Sequence, residues 1–493
     1  MALTVLALGW LVTWALGMGL VAALPRKTES IANAGELTWT MGSGWFVGAL
    51  LVTLWMRAIS LAGIKFGVVA IGAPLIMLAA LLLGIVWRRR KDHWAKLLRG
   101  ARRSLGGADL AGWRRGAWLW LLAWVALRFT LLMGEIVWRP LYPWDAWTQW
   151  ATKARVWYEL KSMVPFATAP EWLQSNGSAY FDAAPHYPAT VSLWQVWSCL
   201  LLGRWDDSLM NLPWWCTGVA LSLAVFGFLR RIDIEPPGAL VATALVTAAP
   251  ILNVHIALAG YADLPMAAYM TLSALAGYLW IQSRSPRDLV PALLFAAALP
   301  LIKNPGRIWL ALLLPGIVVA IAPRRGLWIV AGAFATAAGV FLVLAQTNPV
   351  ILGYHLHLAF DLPWRGLLDA YFNYANWHLL WYAVVAAAIL GRRVLFAPAV
   401  APLTVVIGGG LLFLLFGFAF TNARLWVDDQ STVNRATLHL APLLFIWVVV
   451  VFRAWADEMR DDEAMIAARR RQAAGIGDKE AAPAESARTV ADV

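Results

Sequence analysis

An all-α polytopic membrane protein is the fold class this sequence predicts, on three observations. Of its 493 residues, 61% are hydrophobic and only 14% charged, and the mean hydropathy is +0.65. That composition calls for many membrane spans. The apolar sequence is cut into runs near the length of about 20 residues that crosses the hydrocarbon as a helix. Lys and Arg sit in short clusters between those runs, as they do in the cytoplasmic loops of membrane proteins.

Taken in order, the candidate spans are 1–24, 44–62, 66–87, 116–138, 208–229, 238–258, 264–281, 288–303, 307–322, 327–345, 378–391, 396–419 and 437–453, roughly 13 in all. The first run has no basic front end and no small-residue cleavage site, so it reads as a retained span rather than a signal peptide. The strongest basic cluster, Arg88 to Arg115, orients the chain with that loop in the cytoplasm. The N-terminus then falls outside, the C-terminus inside, and Arg26/Lys27, Arg230/Arg231, Arg284/Arg287, Arg324/Arg325, Arg392/Arg393 and Arg453 inside. The alternation closes only if 189–203, ATVSLWQVWSCLLLG, does not cross; it reads as an interfacial or re-entrant helix. Four regions are expected outside: Arg139 to Asp207, the paired turns 259–263 and 303–307, 346–377, and 420–436.

Three parts result. Residues 1–115 carry three N-terminal spans and a basic loop. Residues 116–453 form the main transmembrane module, with the loop 139–207 holding interfacial helices. Residues 454–493 are a charged tail that opens with a short helix and is expected to be disordered beyond Gly475.

Several classes are set aside. The net charge of +12 comes from loop clusters and is accompanied by no zinc-finger spacing, helix-turn-helix or basic tail, so nucleic acid is not an expected partner. Cys199 and Cys216 give neither a disulfide framework nor a metal spacing. There is no Walker loop, Rossmann glycine pattern or HExxH.

The stretch Pro143 to Lys161, PWDAWTQWATKARVWYELK, reads as an amphipathic helix lying on the membrane surface. Trp144, Trp147, Trp150, Ala154, Trp157 and Tyr158 share one face; Asp145, Gln149 and Lys153 share another. The plainer reading is an anchor whose acid is merely solvated.

Other ionisable groups return to the same side. Asp182, His186 and Tyr187 lie in FDAAPHYPA, Asp263 in GYADLP, Lys303, Asn304 and Arg307 in LIKNPGR, and Arg424 and Arg435 flank the last external loop. Each has a bland alternative: Lys303 snorkels to the interface, Asp263 caps a helix, His186 is a loop residue. Together they describe carboxylates and cations held at one face. A carboxylate there accepts a proton from a hydroxyl, Lys and Arg neutralise a phosphate, and aromatic rings pack on sugars or isoprenoid chains. His355 and His357 alternate by two, without carboxylate partners for a metal.

The order of these features resembles the GT-C class of membrane glycosyltransferases, related to protein O-mannosyltransferases and lipid A aminoarabinose transferases. The segments that carry it are WDAWTQWATKARVWYEL, PHYPATVSLWQVWSCLLLGRW, GYADLP, LIKNPGR and NRATLHLAP, across roughly residues 116 to 453. The resemblance implies a GT-C-like helical bundle that transfers a sugar from a polyprenyl-phosphate donor to an acceptor on the periplasmic face of a bacterial inner membrane. It implies Asp145 as the acceptor-side base, Lys303 and Arg435 on the donor phosphate, and Asp263 in a supporting role; by their placement Arg307 joins the donor-phosphate side, and Asp182, His186, Tyr187 and Asn304 the supporting or acceptor side. The family pattern often has a second acid after the first; here Ala146 follows Asp145, and Pro185-His186-Tyr187-Pro188 replaces a Pro-Pro pair. Whether a divalent cation bridges Asp145 with Asp182 or His186 is left open. The competing classes are a secondary transporter, a lipid-sugar polymerase or ligase, and a non-enzymatic scaffold. Inverted repeats, the mark of many transporters, are not visible.

Overall fold

The apolar runs fold into helices in a computed structural model that describes residues 2–25, 34–105, 107, 109–347, 349–351, 354–355 and 360–473. In chain order the α-helices are α1 (Ala2–Ala23), α2 (Ala34–Leu61), α3 (Val68–Leu105), α4 (Trp113–Trp138), α5 (Thr152–Leu160), α6 (Ala169–Gln174), α7 (Thr190–Leu202), α8 (Leu212–Arg231), α9 (Pro236–Ala248), α10 (Pro250–Ala257), α11 (Asp263–Ser283), α12 (Pro286–Ile302), α13 (Gly306–Ile321), α14 (Pro323–Leu344), α15 (Trp364–Leu368), α16 (Leu380–Leu390), α17 (Ala401–Phe420), α18 (Ser431–Leu438) and α19 (Ala441–Ala473). The only strands among the described residues are two-residue pairs: Phe166–Ala167 with Tyr180–Phe181, and Val350–Ile351 with Tyr354–His355.

Eight of the described helices are long and apolar enough to cross a membrane, or ten if each of two bent pairs is one span. That makes a multi-pass membrane protein with fewer clear spans than the roughly 13 expected. The difference has local causes. The run 238–258 is broken at Pro250, where α9 and α10 meet at 62°, and the last run is broken between α18 and α19 at 54°. Helices α12, α13 and α16 have 17, 16 and 11 residues, so even the longest reaches only about 25 Å. The last helix runs on past the span to Ala473 and absorbs the short tail helix; the tail beyond Gly475 and His357 lie outside the described residues.

The N-terminal helices are built into the core. A Cβ on Gly17 of α1 would stand 1.9 Å from the Gly44 carbonyl oxygen of α2, so these backbones touch. Helix α2 then packs along α8. A chain of indoles joins four helices: Trp10 to Trp45 (5.2 Å between centroids), Trp45 to Trp194 (6.4 Å) and Trp194 to Trp214 (5.9 Å). Each of these four N–H groups finds an acceptor, as buried tryptophans usually do: Ser198 Oγ, Thr217 Oγ1, the Ala49 carbonyl and the Tyr261 carbonyl respectively.

Three details go beyond the expectations. Helix α7, expected to be interfacial or re-entrant, is buried along its whole length and so is enclosed by protein. The Trp-rich stretch is not one surface helix. It opens with a π-helical turn over Ala146–Ala151 before α5, and Trp150, Ala154 and Trp157 enter the core while Trp144 and Trp147 stay exposed. Arg231 and Arg287 are not free loop charges: Arg231 grips Asp288 at 2.7 and 3.0 Å, and Arg287 pairs with Glu36 at 2.5 Å.

Candidate functional site

The wider π-helical turn follows from hydroxyls competing for backbone carbonyls. Thr152 Oγ1 donates to the Trp147 carbonyl five residues back, and Thr148 Oγ1 to the Trp144 carbonyl. The change of pitch separates residues that a regular helix would stack. Asp145, Gln149 and Trp150 face a common cavity. Lys153 turns away and buries its ammonium against the loop before α7, donating to the carbonyls of Ala184 (2.6 Å) and Tyr187 (3.2 Å). Asp182 lies 3.5 Å from that ammonium and caps the same loop at the Ala184 N–H. Burial pushes the Asp182 carboxyl above the usual carboxylate range, opposed by Lys153, and pushes the Lys153 ammonium down. The pair shapes the loop that presents Tyr187, whose ring meets Trp150 edge-on at 5.3 Å.

The second element arrives through a tight turn. Gly260 has φ +106°, and a Cβ there would stand 2.7 Å from the Cβ of Ala146, so glycine lets the 258–262 turn settle on the first turn after Asp145. Helix α11 starts immediately afterwards with Asp263. Its carboxylate is fully buried and saturated. Oδ1 accepts from Lys303 Nζ (2.6 Å) and His439 Nε2 (2.9 Å); Oδ2 accepts from Arg435 Nε (3.1 Å) and pairs with its Nη2 at 3.1 Å. The helix-cap reading of Asp263 therefore gives way to an ionic hub, and the snorkelling reading of Lys303 to an inward-turned ion pair.

His439 is pinned from its other side. Trp309 Nε1 is 3.1 Å from His439 Nδ1. An indole N–H can only donate, so Nδ1 accepts and Nε2 carries the proton it gives to Asp263.

Arg435 links the two acids. Its Nη2 is 2.6 Å from Asp145 Oδ2, and the guanidinium lies over the Tyr261 ring at 4.4 Å. Asp145 makes no capping bond to its own helix. Its side chain keeps 23% exposure, against none for Asp263. Of the two carboxylates, only Asp145 is open to the cavity while making a single ion pair.

The cavity holds about 420 Å³. Its polar lining includes Asp145, Gln149, Tyr187, Asp263, Lys303, Asn304, Thr432, Arg435 and His439. The rest is mostly apolar, with Ile308 of α13 and Phe413, Leu414, Phe416 and Phe418 of α17. A pocket that combines a cluster of charged groups with aromatic and aliphatic walls suits an amphiphile with an anionic head.

Six of the sequence candidates thus converge: Asp145, Tyr187, Asp263, Lys303, Asn304 and Arg435. Three do not line the cavity. Arg307 is exposed because α13 begins at Gly306 and turns the next side chain outward. His186 is exposed in its loop, and Asp182 is buried against Lys153. Arg424 pairs with Asp361 instead. Gln149, Trp309, Thr432 and His439 were not singled out as site residues; only the proximity of His439 to Arg435, one helical turn on, could have signalled it. Among the described residues no group of three or more His, Cys, Asp or Glu could hold a metal ion. Arg435 occupies the space between the two acids, which leaves no shared pair of free carboxylate oxygens for one.

Comparison of the chain with family models, with curated proteins and with solved structures returned no match.

Proposed function

We propose that the protein is a membrane glycosyltransferase that moves a sugar from a polyprenyl-phosphate donor to an acceptor hydroxyl on the external face. The observation that carries this reading is the cavity itself: one open carboxylate, Asp145, beside two inward cations, Lys303 and Arg435, with the remaining lining mostly apolar. The resemblance of the surrounding segments to GT-C enzymes points the same way.

In this reading the acceptor hydroxyl gives its proton to Asp145 and attacks the anomeric carbon. The bond from that carbon to the phosphate oxygen breaks, and the electron pair leaves with the lipid phosphate. Lys303 and Arg435 neutralise the departing anion. A single displacement inverts the anomeric centre. Asp263 stays ionised and fully hydrogen-bonded, holding both cations in place. Asp145→Asn should lower transfer about 10²- to 10⁴-fold, the usual range for a lost general base, in protein that elutes and melts like the wild type. Unchanged transfer to the true acceptor would remove Asp145 as the base.

One observation favours a second reading. The α18–α19 bend lies beside His439 and Arg435, and α9–α10 is also broken; discontinuous helices at a binding site are common in secondary transporters. Solute uptake into proteoliposomes, with no lipid-linked sugar present, would select that reading.

A further inference from the structure

We propose that Thr190, held in place by Arg57 of α2, is a positioning residue for Lys303, so that the N-terminal helices set the geometry of the cation at the cavity. The functional part of this inference rests on reading Lys303 as a phosphate-binding group.

Helix α12 approaches the cavity with its hydrogen-bond ladder incomplete. In a continuing helix the Leu301 carbonyl would accept from the N–H of residue 305. Residue 305 is proline and has none. Pro300 likewise withholds the donor that would serve the Ala296 carbonyl. The remaining bond at the end, from Lys303 N to the Leu299 carbonyl, is long at 3.4 Å. The last turn before Lys303 therefore depends on a partner from outside the helix.

That partner is Thr190, at the first turn of α7. Its Oγ1 donates to the Leu301 carbonyl at 2.5 Å, and Thr190 is fully buried. Arg57 Nη2 donates to the same hydroxyl oxygen at 2.8 Å. With that oxygen accepting from a guanidinium, its single proton is committed to Leu301. The relay runs from α2 through α7 to α12, joining residues 133 and 111 positions apart. Two residues beyond its end stands Lys303, and the turn there closes through Gly306 N to the Lys303 carbonyl.

Three variants separate the roles. Thr190→Val keeps the shape and deletes the hydroxyl, Thr190→Ser restores it, and Arg57→Met removes only the outer donor. The first measurement needs no substrate: amide hydrogen exchange over Lys303–Trp309 in the detergent-solubilised full chain. Thr190→Val should speed exchange there about tenfold with the rest of α13 unchanged, the size expected of one lost hydrogen bond. Thr190→Ser should match the wild type, and Arg57→Met should fall between. The second measurement is binding of farnesyl phosphate, where Thr190→Val should weaken affinity about tenfold, and in transfer raise KM for the lipid donor with kcat nearly constant.

Wild-type exchange in Thr190→Val, or Thr190→Ser behaving like Thr190→Val, would overturn the proposal. Should Thr190→Val fail to fold, Arg57→Met and Thr190→Ser decide it by the same exchange measurement. If the wild type itself does not bind farnesyl phosphate, the phosphate reading of Lys303 falls, and hydrogen exchange still decides whether the relay orders the turn.

Discussion

Two buried ionic clusters stand at opposite ends of α11 and α12, built from the same kinds of residue yet suited to different work. At one end Asp263, Lys303, Arg435, His439 and Asp145 surround a cavity, and one carboxylate remains partly open. At the other, Glu36 of α2 pairs with Arg287, Asp288 takes Arg231 and the Ser283 hydroxyl, and His93 of α3 stands 3.4 Å from Glu36. Arg287, Glu36 and Asp288 are each at most 3% exposed. The closed cluster fastens α2 and α3 to α8 and α12. The open one holds cations where a ligand can reach them. What distinguishes a site from a clasp here is not burial or charge but an unfilled volume beside a carboxylate with coordination to spare.

The contrast can be broken by substitution. Asp263→Asn removes the anion that both Lys303 and Arg435 share. It should cost about 3 kcal/mol of stability, as breaking a buried pair does, and abolish binding of a lipid phosphate by the folded fraction. A variant that is destabilised but binds normally would make Asp263 a clasp as well. Glu36→Gln at the closed end should cost somewhat less, about 2 kcal/mol, because amide hydrogen bonds replace part of the ion pair. Its folded fraction should bind and transfer like the wild type. Altered affinity there would mean that the two ends are coupled.

The smallest effect concerns the Lys153–Asp182 pair, which belongs to neither cluster. The Asp182 carboxyl is held above its ordinary value by burial. Its contribution to stability is thus full below the ordinary carboxylate value and declines as pH rises through the value it has in the fold. Asp182→Asn cannot titrate, so melting temperatures measured from about pH 4 to pH 7 should show the variant gaining on the wild type as pH rises. A constant difference across that window would show that Asp182 ionises in the fold as it does unfolded.

Much of the open cluster could be read from charge placement. Asp145, Asp263, Lys303 and Arg435 are ionisable residues at the ends of apolar runs, where an unpaired charge is costly, and the run order returns them to one face. The fold's polytopic, all-helical character was legible for the same reason. Periodicity failed where a side chain overruled it. The hydroxyls of Thr148 and Thr152 open the π-helical turn, so a face drawn at 3.6 residues per turn grouped Trp144 and Trp147 with the buried Trp150. Trp309 sits inside an apolar helix and His439 at the turn between α18 and α19, and nothing local distinguishes a histidine that hydrogen-bonds an indole and a carboxylate from one that fills space. Arg307 falls outside the cavity lining by a single turn boundary. Arg287 was taken for a loop charge because its partner, Glu36, is remote in sequence.

The enclosure of α7 bears on how the chain is assembled. Thirteen residues make a helix of about 20 Å, too short to insert across a bilayer unaided. Its seat is made by partners far upstream: Trp10 meets Ser198 across 188 residues, and Trp194 reaches Ala49 across 145. Synthesis proceeds from the N-terminus, so the α1–α2 hairpin emerges while α7 is still untranslated. The surface against which α7 packs is thus supplied by helices made well before it.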